Sequence, residues 1–320
     1  MILCIILIFV VLSFKINPRG LAYLALLGLQ GMVPIALAAI GEVFNERGGL
    51  CNIGIEGTML LSSFVSIYLA EVSKSWLVGV LGGIGTGMLI SGIFGITATY
   101  GKGDQLIAGI GVNILALGFV AYYLMEIWHT PGYHLLTSSN LKIPAILTPL
   151  TSLSWIVFVT IGASFAVNFI LNDTQFGMRV KATGYNPFIA DVSGINVYKI
   201  RTIACIIGGA LAGLGGAYMS LGWLGLSAKD LIKGRGFIAL ACVVFSGLDP
   251  ILALEAAYLF GLFDVISLWL QSAPWAEVLM ARGGRFLCLV LPYVAVLITL
   301  TVLRGERRFS KMIGEPYERG

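Results

Sequence analysis

The chain has 320 residues, of which 58% are hydrophobic and only 11% are charged, and its formal net charge is +4. So little charge excludes an ordinary soluble domain, which needs far more to cover its surface. The small positive charge also excludes the strongly basic surface of a nucleic-acid-binding protein, so no nucleic-acid partner is expected. We predict a single membrane domain over residues 1–320, embedded in the lipid bilayer.

Apolar segments follow one another along the whole chain. About 20 apolar residues are enough to cross a bilayer as a helix. The first and the eighth segments are shorter than that, so each could be a half-helix or a re-entrant segment. The predicted fold class is all-α, a polytopic membrane helix bundle of about ten segments. These are 1–14, 21–44, 52–70, 76–100, 105–125, 153–172, 202–223, 236–248, 251–271 and 285–303.

Two of these segments are interrupted by glycines and polar residues. The run 45–58, NERGGLCNIGIEGT, separates two apolar helices, and GRGFIALACVVFS at 234–246 opens a short apolar segment in the second half. Irregular backbone at membrane depth is tolerated only where it is buried in protein or lines a cavity. Interruptions at corresponding places predict inverted repeats, with the substrate path between the two halves.

Polar side chains within the segments need partners or a water-filled path. Asn113 lies inside the fifth segment, where its amide could hydrogen-bond a neutral solute or simply another helix. Glu42 and Glu56 flank the first interruption, where capping or pairing with Arg47 is favoured. We predict that Asn113, Phe237 and Glu56 line a substrate pathway.

Small residues recur at every fourth position of the fourth segment, where they form one stripe along a helix. Such a stripe allows a neighbouring helix to pack closely. A second group of glycines in the seventh segment predicts another close-packed seam. The two sets are Gly79, Gly83, Gly87, Ser91 and Gly95, and Gly209, Gly213 and Gly216.

The loop 126–152 is the longest external connection and is expected to form part of an extracellular vestibule. It contains both histidines, His129 and His134. A metal pair from these side chains is less favoured than two ordinary polar loop residues. The five cysteines are scattered without a C-x-x-C pair, so no metal site is predicted.

The loop 173–201 is polar, basic and long enough to form structure of its own. It carries Arg179, Lys181, Lys199 and Arg201, and the C-terminal tail is also basic. Since Lys and Arg are enriched in cytoplasmic loops, both are assigned to the cytoplasm. The basic stretch 224–235 falls on the other side, so either it is re-entrant or the count is wrong by one there.

No motif for catalysis accompanies these segments. The nearest approach to a P-loop, at 95–103, has one residue too many and lacks the Ser or Thr after its lysine. Neither histidine lies in a membrane segment, so no nucleophile and base can meet at membrane depth. We predict a subunit that is not an enzyme and that has no cofactor of its own.

The chain resembles the inner-membrane permeases of the branched-chain amino acid and ribose class of ABC importers, through GEVFNERGGLCNIGIEGTMLL at 41–61. Further motifs are similar to the nucleoside and simple-sugar branch of that class, in order and spacing from about residue 31 to the end. They are NIGIEG (52–57), DQLIAGIGVNILALG (104–118), ATGYNPFIADVSGINVYKIR (182–201), GALAGLGGAYMSLG (209–222), GRGFIALA (234–241) and GEPYERG (314–320).

This resemblance implies a plasma-membrane importer subunit that carries a nucleoside or a simple sugar. Its expected partners are an ABC ATPase subunit that hydrolyses the ATP, a second related permease and an extracytoplasmic substrate-binding lipoprotein. It also implies a short helix in the loop 173–201 that docks on the ATPase. The coupling residues would be Asn186 and Pro187 at its start, Ala190 within it and Gly194 at its end.

Two other functions are weighed against this expectation. An ion-coupled secondary transporter for a small polar solute would need an ionisable group at mid-membrane, for which Glu255 and Asp264 are the candidates in the second half. It would leave the structured basic loop unexplained. An intramembrane enzyme would need a nucleophile, a metal cluster or an acid pair, and the sequence offers none.

Overall fold

A computed structural model describes residues 18–147 and 151–272, together with Val290, Val294 and Tyr317. Ten α-helices and four short strands lie in these ranges. The helices are α1 (Pro18–Arg47), α2 (Ile55–Ser73), α3 (Trp76–Thr99), α4 (Gln105–Trp128), α5 (Ile156–Asp173), α6 (Gln175–Tyr185), α7 (Pro187–Val192), α8 (Val197–Ala217), α9 (Arg235–Ser246) and α10 (Pro250–Ser272). The strands are β1 (Tyr133–Leu135), β2 (Ala145–Leu147), β3 (Ser152–Ser154) and β4 (Leu226–Ala228).

Seven of the described helices are long and apolar enough to cross a membrane. They match seven predicted segments, and the eighth predicted segment is the short helix α9 of 12 residues. The predicted segments 1–14 and 285–303 lie outside the described residues, apart from Val290 and Val294. The prediction of an all-α polytopic bundle is therefore confirmed, and α9 is too short to span a bilayer of about 30 Å.

Local signals in the sequence set the ends of several helices. The carboxylate of Asp104 accepts hydrogen bonds from the backbone N–H groups of Leu106 and Ile107, which are among the unpaired donors at the start of α4. At the other end of α4, His129 adopts a left-handed conformation with φ 53°. Helix α8 continues into a π-helical turn, Tyr218–Leu224, which extends it towards the strands.

The predicted small-residue stripe of α3 packs against α8, as expected. A Cβ atom at Gly87 would lie only 2.7 Å from the Cα of Gly213 and would also meet the carbonyl oxygen of Gly209. These glycines therefore permit a backbone contact that no larger residue could make. The main buried cluster adjoins this seam and draws on α1, α2, α8, α9 and α10.

The strands form two small antiparallel sheets at one end of the bundle, here named the sheet end. Strand β1 pairs with β4, so the loop after α4 and the segment after α8 lie on the same side. Strand β2 pairs with β3. The carboxylate of Glu71, at the end of α2, accepts hydrogen bonds from Trp128, His134 and Thr137, which fastens the loop to the bundle.

Helices α6 and α7 lie at the opposite end, here named the α7 end. The predicted loop 173–201 contains more helix than the one short element expected. Its first part forms α6, since it has no proline before Pro187 and the hydroxyl of Thr174 caps the first turn at Gly177. Val180 on this helix is fully buried, so α6 packs against the bundle and is not a free loop.

Lys199 and Arg201 were predicted to flank the coupling helix within the loop, but both lie on α8, which begins at Val197. Arg201 is only 2% exposed. Its guanidinium donates a hydrogen bond of 3.0 Å to the carbonyl oxygen of Thr183. This side chain therefore joins α8 to α6 and is not available as a solvent-facing charge.

Candidate functional site

The first interruption, residues 48–54, leads to the start of α2 inside the bundle. The backbone N–H of Gly57 donates a 2.7 Å hydrogen bond to the side-chain oxygen of Asn113, on the neighbouring helix α4. The amide nitrogen of Asn113 donates to the carbonyl oxygen of Ile53 at 3.1 Å. The first turn of α2 is thus capped by a side chain from another helix, which satisfies backbone groups that would otherwise be unpaired.

The second interruption leads to the start of α9, and a side chain from α2 caps it. The two carboxylate oxygens of Glu56 accept hydrogen bonds from the backbone N–H groups of Gly234 and Gly236, each at 2.7 Å. The neighbouring N–H of Phe237 adds a further favourable interaction. An anion is favoured at this position because the start of a helix carries a partial positive charge.

Arg235 opens α9 and makes an ion pair with Asp264 of α10. Its guanidinium nitrogens lie 2.6 and 3.2 Å from one carboxylate oxygen of Asp264. The guanidinium carbon also lies 5.3 Å from the centre of the Trp223 ring, within the range of a cation–π interaction. Arg235 and Asp264 are partly buried, with side-chain exposures of 11% and 22%. We name Glu56, Asn113, Arg235, Asp264 and Trp223 the central polar cluster.

Helices α2 and α9 start side by side at this cluster and run to opposite ends of the bundle. The far end of α2 reaches the sheet end, where Glu71 contacts His134 at 2.9 Å. The chain just beyond α9 reaches the α7 end, where the carbonyl oxygen of Leu248, two residues after the helix, accepts hydrogen bonds of 3.1 and 2.9 Å from Arg47. The central polar cluster therefore lies between the two ends.

All three predicted pathway residues belong to, or adjoin, this cluster. Glu56 and Asn113 are joined through the backbone at Gly57, and Phe237 follows Gly236, which donates to Glu56. The Asn113 amide was expected to hydrogen-bond either a neutral solute or another helix, and in the structure it hydrogen-bonds another helix. Phe237 keeps 48% of its surface exposed, so its ring is available for contact. Their role in a substrate pathway stays a prediction.

Glu42, which flanks the first interruption, is fully buried. Its carboxylate accepts hydrogen bonds from the backbone N–H of Asn52 at 2.7 Å and from the side chain of Asn45 at 2.6 Å. With Glu46 and Cys51 it forms a group with metal-ligand spacing. Burial, followed by the two carboxylates, raises the pKa of the Cys51 thiol to about 12.

A cavity of about 370 Å³ opens at the sheet end, where the sequence predicted a vestibule. Its lining includes polar groups of Gln30, Ser139 and Ser152 and the ring of Trp223. Because Trp223 also faces Arg235, this residue joins the cavity to the central polar cluster. The two histidines have different structural roles. The ring of His134 stacks on that of Trp128, with centroids 4.2 Å apart, and His129 is the residue at which α4 ends.

The four predicted coupling residues lie on α7 or directly beside it. The side-chain oxygen of Asn186 accepts a hydrogen bond from the N–H of Ile189, and Pro187 occupies the first helical position. Ala190 is buried against the bundle. Gly194 has φ +83°, a left-handed conformation that favours glycine just after a helix end. The helix is therefore where the sequence placed it, and its contact with an ATPase stays a prediction.

Sequence reasoning missed the partners that complete the site. Arg235 was read only as part of a basic stretch, and Asp264 as a candidate group for ion coupling that had no partner. A search for opposite charges within apolar segments would have paired them, because an unpaired charge at membrane depth is costly. Glu71 and Tyr317 carried no such signal, since their partners, Thr137 and Asp191, lie far away in the sequence.

Comparisons with known proteins agree on one family. The family model described as branched-chain amino acid transport system / permease component matches residues 24–283. The guanosine ABC transporter permease protein NupQ of Bacillus subtilis is 34% identical, over 95% of this chain and 97% of its own length. The nucleoside ABC transporter permease protein NupC of Lactococcus lactis is 30% identical, over 89% and 93%. A putative glucose ABC transporter permease protein, TsgC13 of Haloferax volcanii, is 30% identical over 76% of each chain.

Proposed function

This chain belongs to the family of branched-chain amino acid transport system permease components, and we propose that it is the membrane-spanning permease subunit of an ATP-driven ABC importer for nucleosides. The observation that carries the proposal is the central polar cluster, where two helices begin inside an apolar bundle. Half-helix starts of this kind form substrate sites in membrane transporters. The subunit itself performs no chemistry.

The charged groups of the central polar cluster already have partners, which supports an uncharged substrate. The carboxylate of Glu56 already occupies the start of α9, and Arg235 is already paired with Asp264. A phosphate group would find neither a free helix start nor a free guanidinium here. A nucleoside suits the site better, since its base could stack on an aromatic ring and its hydroxyl groups could use polar partners.

A simple sugar is the second candidate for the transported solute. It is also uncharged, and the similarity to the putative glucose permease TsgC13 supports it. An ion-coupled secondary transporter is not favoured. Of its two candidate groups, Asp264 is tied to Arg235 in an ion pair and Glu255 is exposed on α10.

The proposed assembly contains an ABC ATPase, a second related permease and an extracytoplasmic substrate-binding lipoprotein. Most of helix α4 is exposed in the single chain, and this apolar surface faces lipid or a second permease. A second permease is supported by Phe237, whose half-exposed ring borders the central polar cluster. A pathway at this surface needs another wall, and a related permease would supply it.

We place the protein in the plasma membrane as one permease domain over residues 1–320, with about ten membrane segments. The α7 end and the C-terminus are assigned to the cytoplasm, on the Lys and Arg content of both. Contact of Tyr317 with Asp191 supports a common side for the tail and α7. The opposite directions of α2 and α9 support inverted repeats.

The proposal is tested by uptake into cells that lack their own nucleoside transporters and that express this chain with its ATPase, its second permease and its substrate-binding lipoprotein. The panel is radiolabelled guanosine, guanosine monophosphate, ribose and glucose. We expect guanosine to enter and the monophosphate to be excluded. If a sugar enters and guanosine does not, the sugar and not a nucleoside is the transported solute. Entry of none of the four compounds would contradict the proposed substrate class.

A further inference from the structure

Tyr317, in the C-terminal tail, is buried at the α7 end of the bundle. Only 5% of its surface is exposed. It forms a small hydrophobic cluster with Ala190 of α7 and Val197 of α8, separate from the main core. Residues near a chain end are usually ordered only where contacts hold them in place. The burial of Tyr317 therefore shows that its contacts fix it to the bundle.

Polar and aromatic contacts hold Tyr317 on both helices. Its hydroxyl donates a 3.0 Å hydrogen bond to the carboxylate of Asp191, near the end of α7. Its carbonyl oxygen accepts a hydrogen bond of 3.4 Å from the hydroxyl of Tyr198 on α8. Its ring lies 5.2 Å from that of Phe188 and 5.5 Å from that of Tyr198. Ring pairs at these separations are attractive.

Helix α7 needs such support, because it has only six residues. A helix of this length is not stable alone and depends on tertiary contacts. Its outer side offers apolar side chains to a partner, since Ile189 is 64% exposed and Val192 is 91% exposed. A short helix can pass on the motion of a bound partner only if it moves rigidly with the helices behind it.

We propose that Tyr317 is a positioning residue for ATPase coupling, and that it fixes α7 to α8 so that motion of the ATPase reaches the membrane helices. This inference rests on the proposed function, in which α7 docks on an ABC ATPase. Tyr317 bridges the last turn of α7, through Asp191, to the first turn of α8, through Tyr198. The tail thereby makes the joint between the two helices stiff, and the exposed residues of α7 remain free for the partner.

The test uses the full complex of this chain, its ATPase and its second permease in proteoliposomes, with the substrate-binding lipoprotein added for import. Two quantities are measured, which are the affinity of the ATPase for the permease pair and the number of ATP molecules hydrolysed per nucleoside imported. The variants are Tyr317→Ala, which removes the ring and the hydroxyl, and Tyr317→Phe, which removes only the hydroxyl. Asp191→Ala removes the acceptor and leaves the tail intact.

The matched control is Tyr100→Ala. Tyr100 directly follows α3 and stacks on Tyr198 at 5.3 Å, so its loss removes a ring from the same residue without freeing α7. We expect Tyr317→Ala to raise the ATP cost per nucleoside about tenfold. Tyr317→Phe and Asp191→Ala should raise it less, and Tyr100→Ala should leave it unchanged.

Equal ratios in Tyr317→Ala and Tyr100→Ala would overturn the proposal. If Tyr317→Ala does not insert into the membrane, the ATP cost per nucleoside of Tyr317→Phe and Asp191→Ala is compared with that of Tyr100→Ala. Equal costs in these variants would also overturn the proposal. A wrong substrate can be distinguished from a wrong role of Tyr317, because the affinity of the ATPase for the permease pair is measured without substrate. With no guanosine import by the wild type, an affinity lowered in Tyr317→Ala but not in Tyr100→Ala still supports the positioning role, and equal affinities contradict it.

Discussion

Single side chains from one half of the chain complete the helix ends of the other half. Glu56 accepts backbone hydrogen bonds from Gly234 and Gly236, which lie 178 and 180 residues away in sequence. Within the first half, Asn113 accepts a hydrogen bond from the backbone N–H of Gly57, in the first turn of α2. Backbone groups at membrane depth must find partners within the protein. These two side chains therefore permit two helices to begin inside the bundle.

Replacement of Glu56 tests its role as a cap. We expect Glu56→Ala to lower the free energy of unfolding by about 2–4 kcal/mol, since it leaves two buried N–H groups without an acceptor. Glu56→Gln keeps one acceptor oxygen and should cost about half as much. The measurement is a denaturant titration in mixed micelles. Glu255→Gln, at an exposed carboxylate on α10, is the control, and a Glu56→Ala variant as stable as this control would rule out the capping role.

Arg235 and Asp264 should behave as a coupled pair in a double-mutant cycle. Arg235→Met and Asp264→Leu each remove one charge and leave the other unpaired, and because the pair is partly buried we expect each to cost about 2–3 kcal/mol. Arg235→Met with Asp264→Leu removes both charges and should recover at least about 1 kcal/mol of the summed single losses. Strictly additive losses would show that the 2.6 Å contact contributes nothing to stability.

Between elements, the closest contact is the seam of α3 and α8. Their backbones meet at Gly87, Gly209 and Gly213, where a Cβ atom on Gly87 has no room. Close approach of this kind replaces the hydrophobic driving force, which is weak between helices in lipid. The seam holds α8 at the position from which it reaches both the α7 end and Trp223.

Two glycines of the same helix give a matched test of this seam. Gly87→Ala must push α3 away from α8, and we expect a loss of about 2 kcal/mol in unfolding free energy, as for other overpacked sites. A Cβ atom at Gly85 would meet nothing within 4 Å, so Gly85→Ala should be neutral or slightly stabilising, because alanine favours helix. Thermal unfolding in detergent compares the two, and equal midpoints would contradict the account of the seam.

Elements whose signals are local could be predicted from the sequence. Apolar length predicted the seven long helices and the short α9, and Asn186, Pro187 and Gly194 predicted the bounds of α7. The spacing of small residues predicted the seam on α3. Helix α6 was missed because its polar face resembles a loop, and the burial of Val180 against the bundle depends on tertiary packing.

The central polar cluster could be predicted only in part. Its members come from segments far apart in the chain, and a single sequence does not say which helices are neighbours. The polar residues Glu56 and Asn113 were singled out because polar groups are rare at membrane depth. Their hydrogen-bond partners are backbone groups, which have no sequence signal of their own.

Across the whole molecule, a continuous set of contacts joins the two ends. Helix α2 runs from the central polar cluster to Glu71 at the sheet end, and α9 runs from the same cluster to Leu248, beside Arg47. A motion of α7 would pass through α8 and its seam to the cluster. We expect ATP binding by a partner to open the pathway by rigid-body movement of these helices, with no chemistry in this subunit.

The measurement that tests this account most directly is ATP-dependent guanosine uptake into proteoliposomes that contain this chain, its ATPase and its second permease, with the substrate-binding lipoprotein supplied on the uptake side. Variants at Gly194 link uptake to α7. Gly194→Pro cannot adopt the φ of +83° found there, whereas Gly194→Asn tolerates a left-handed conformation. We predict uptake that requires ATP and a functional ATPase, is lost in Gly194→Pro and is retained in Gly194→Asn. Uptake that continues without the ATPase, driven by an ion gradient, would contradict the account.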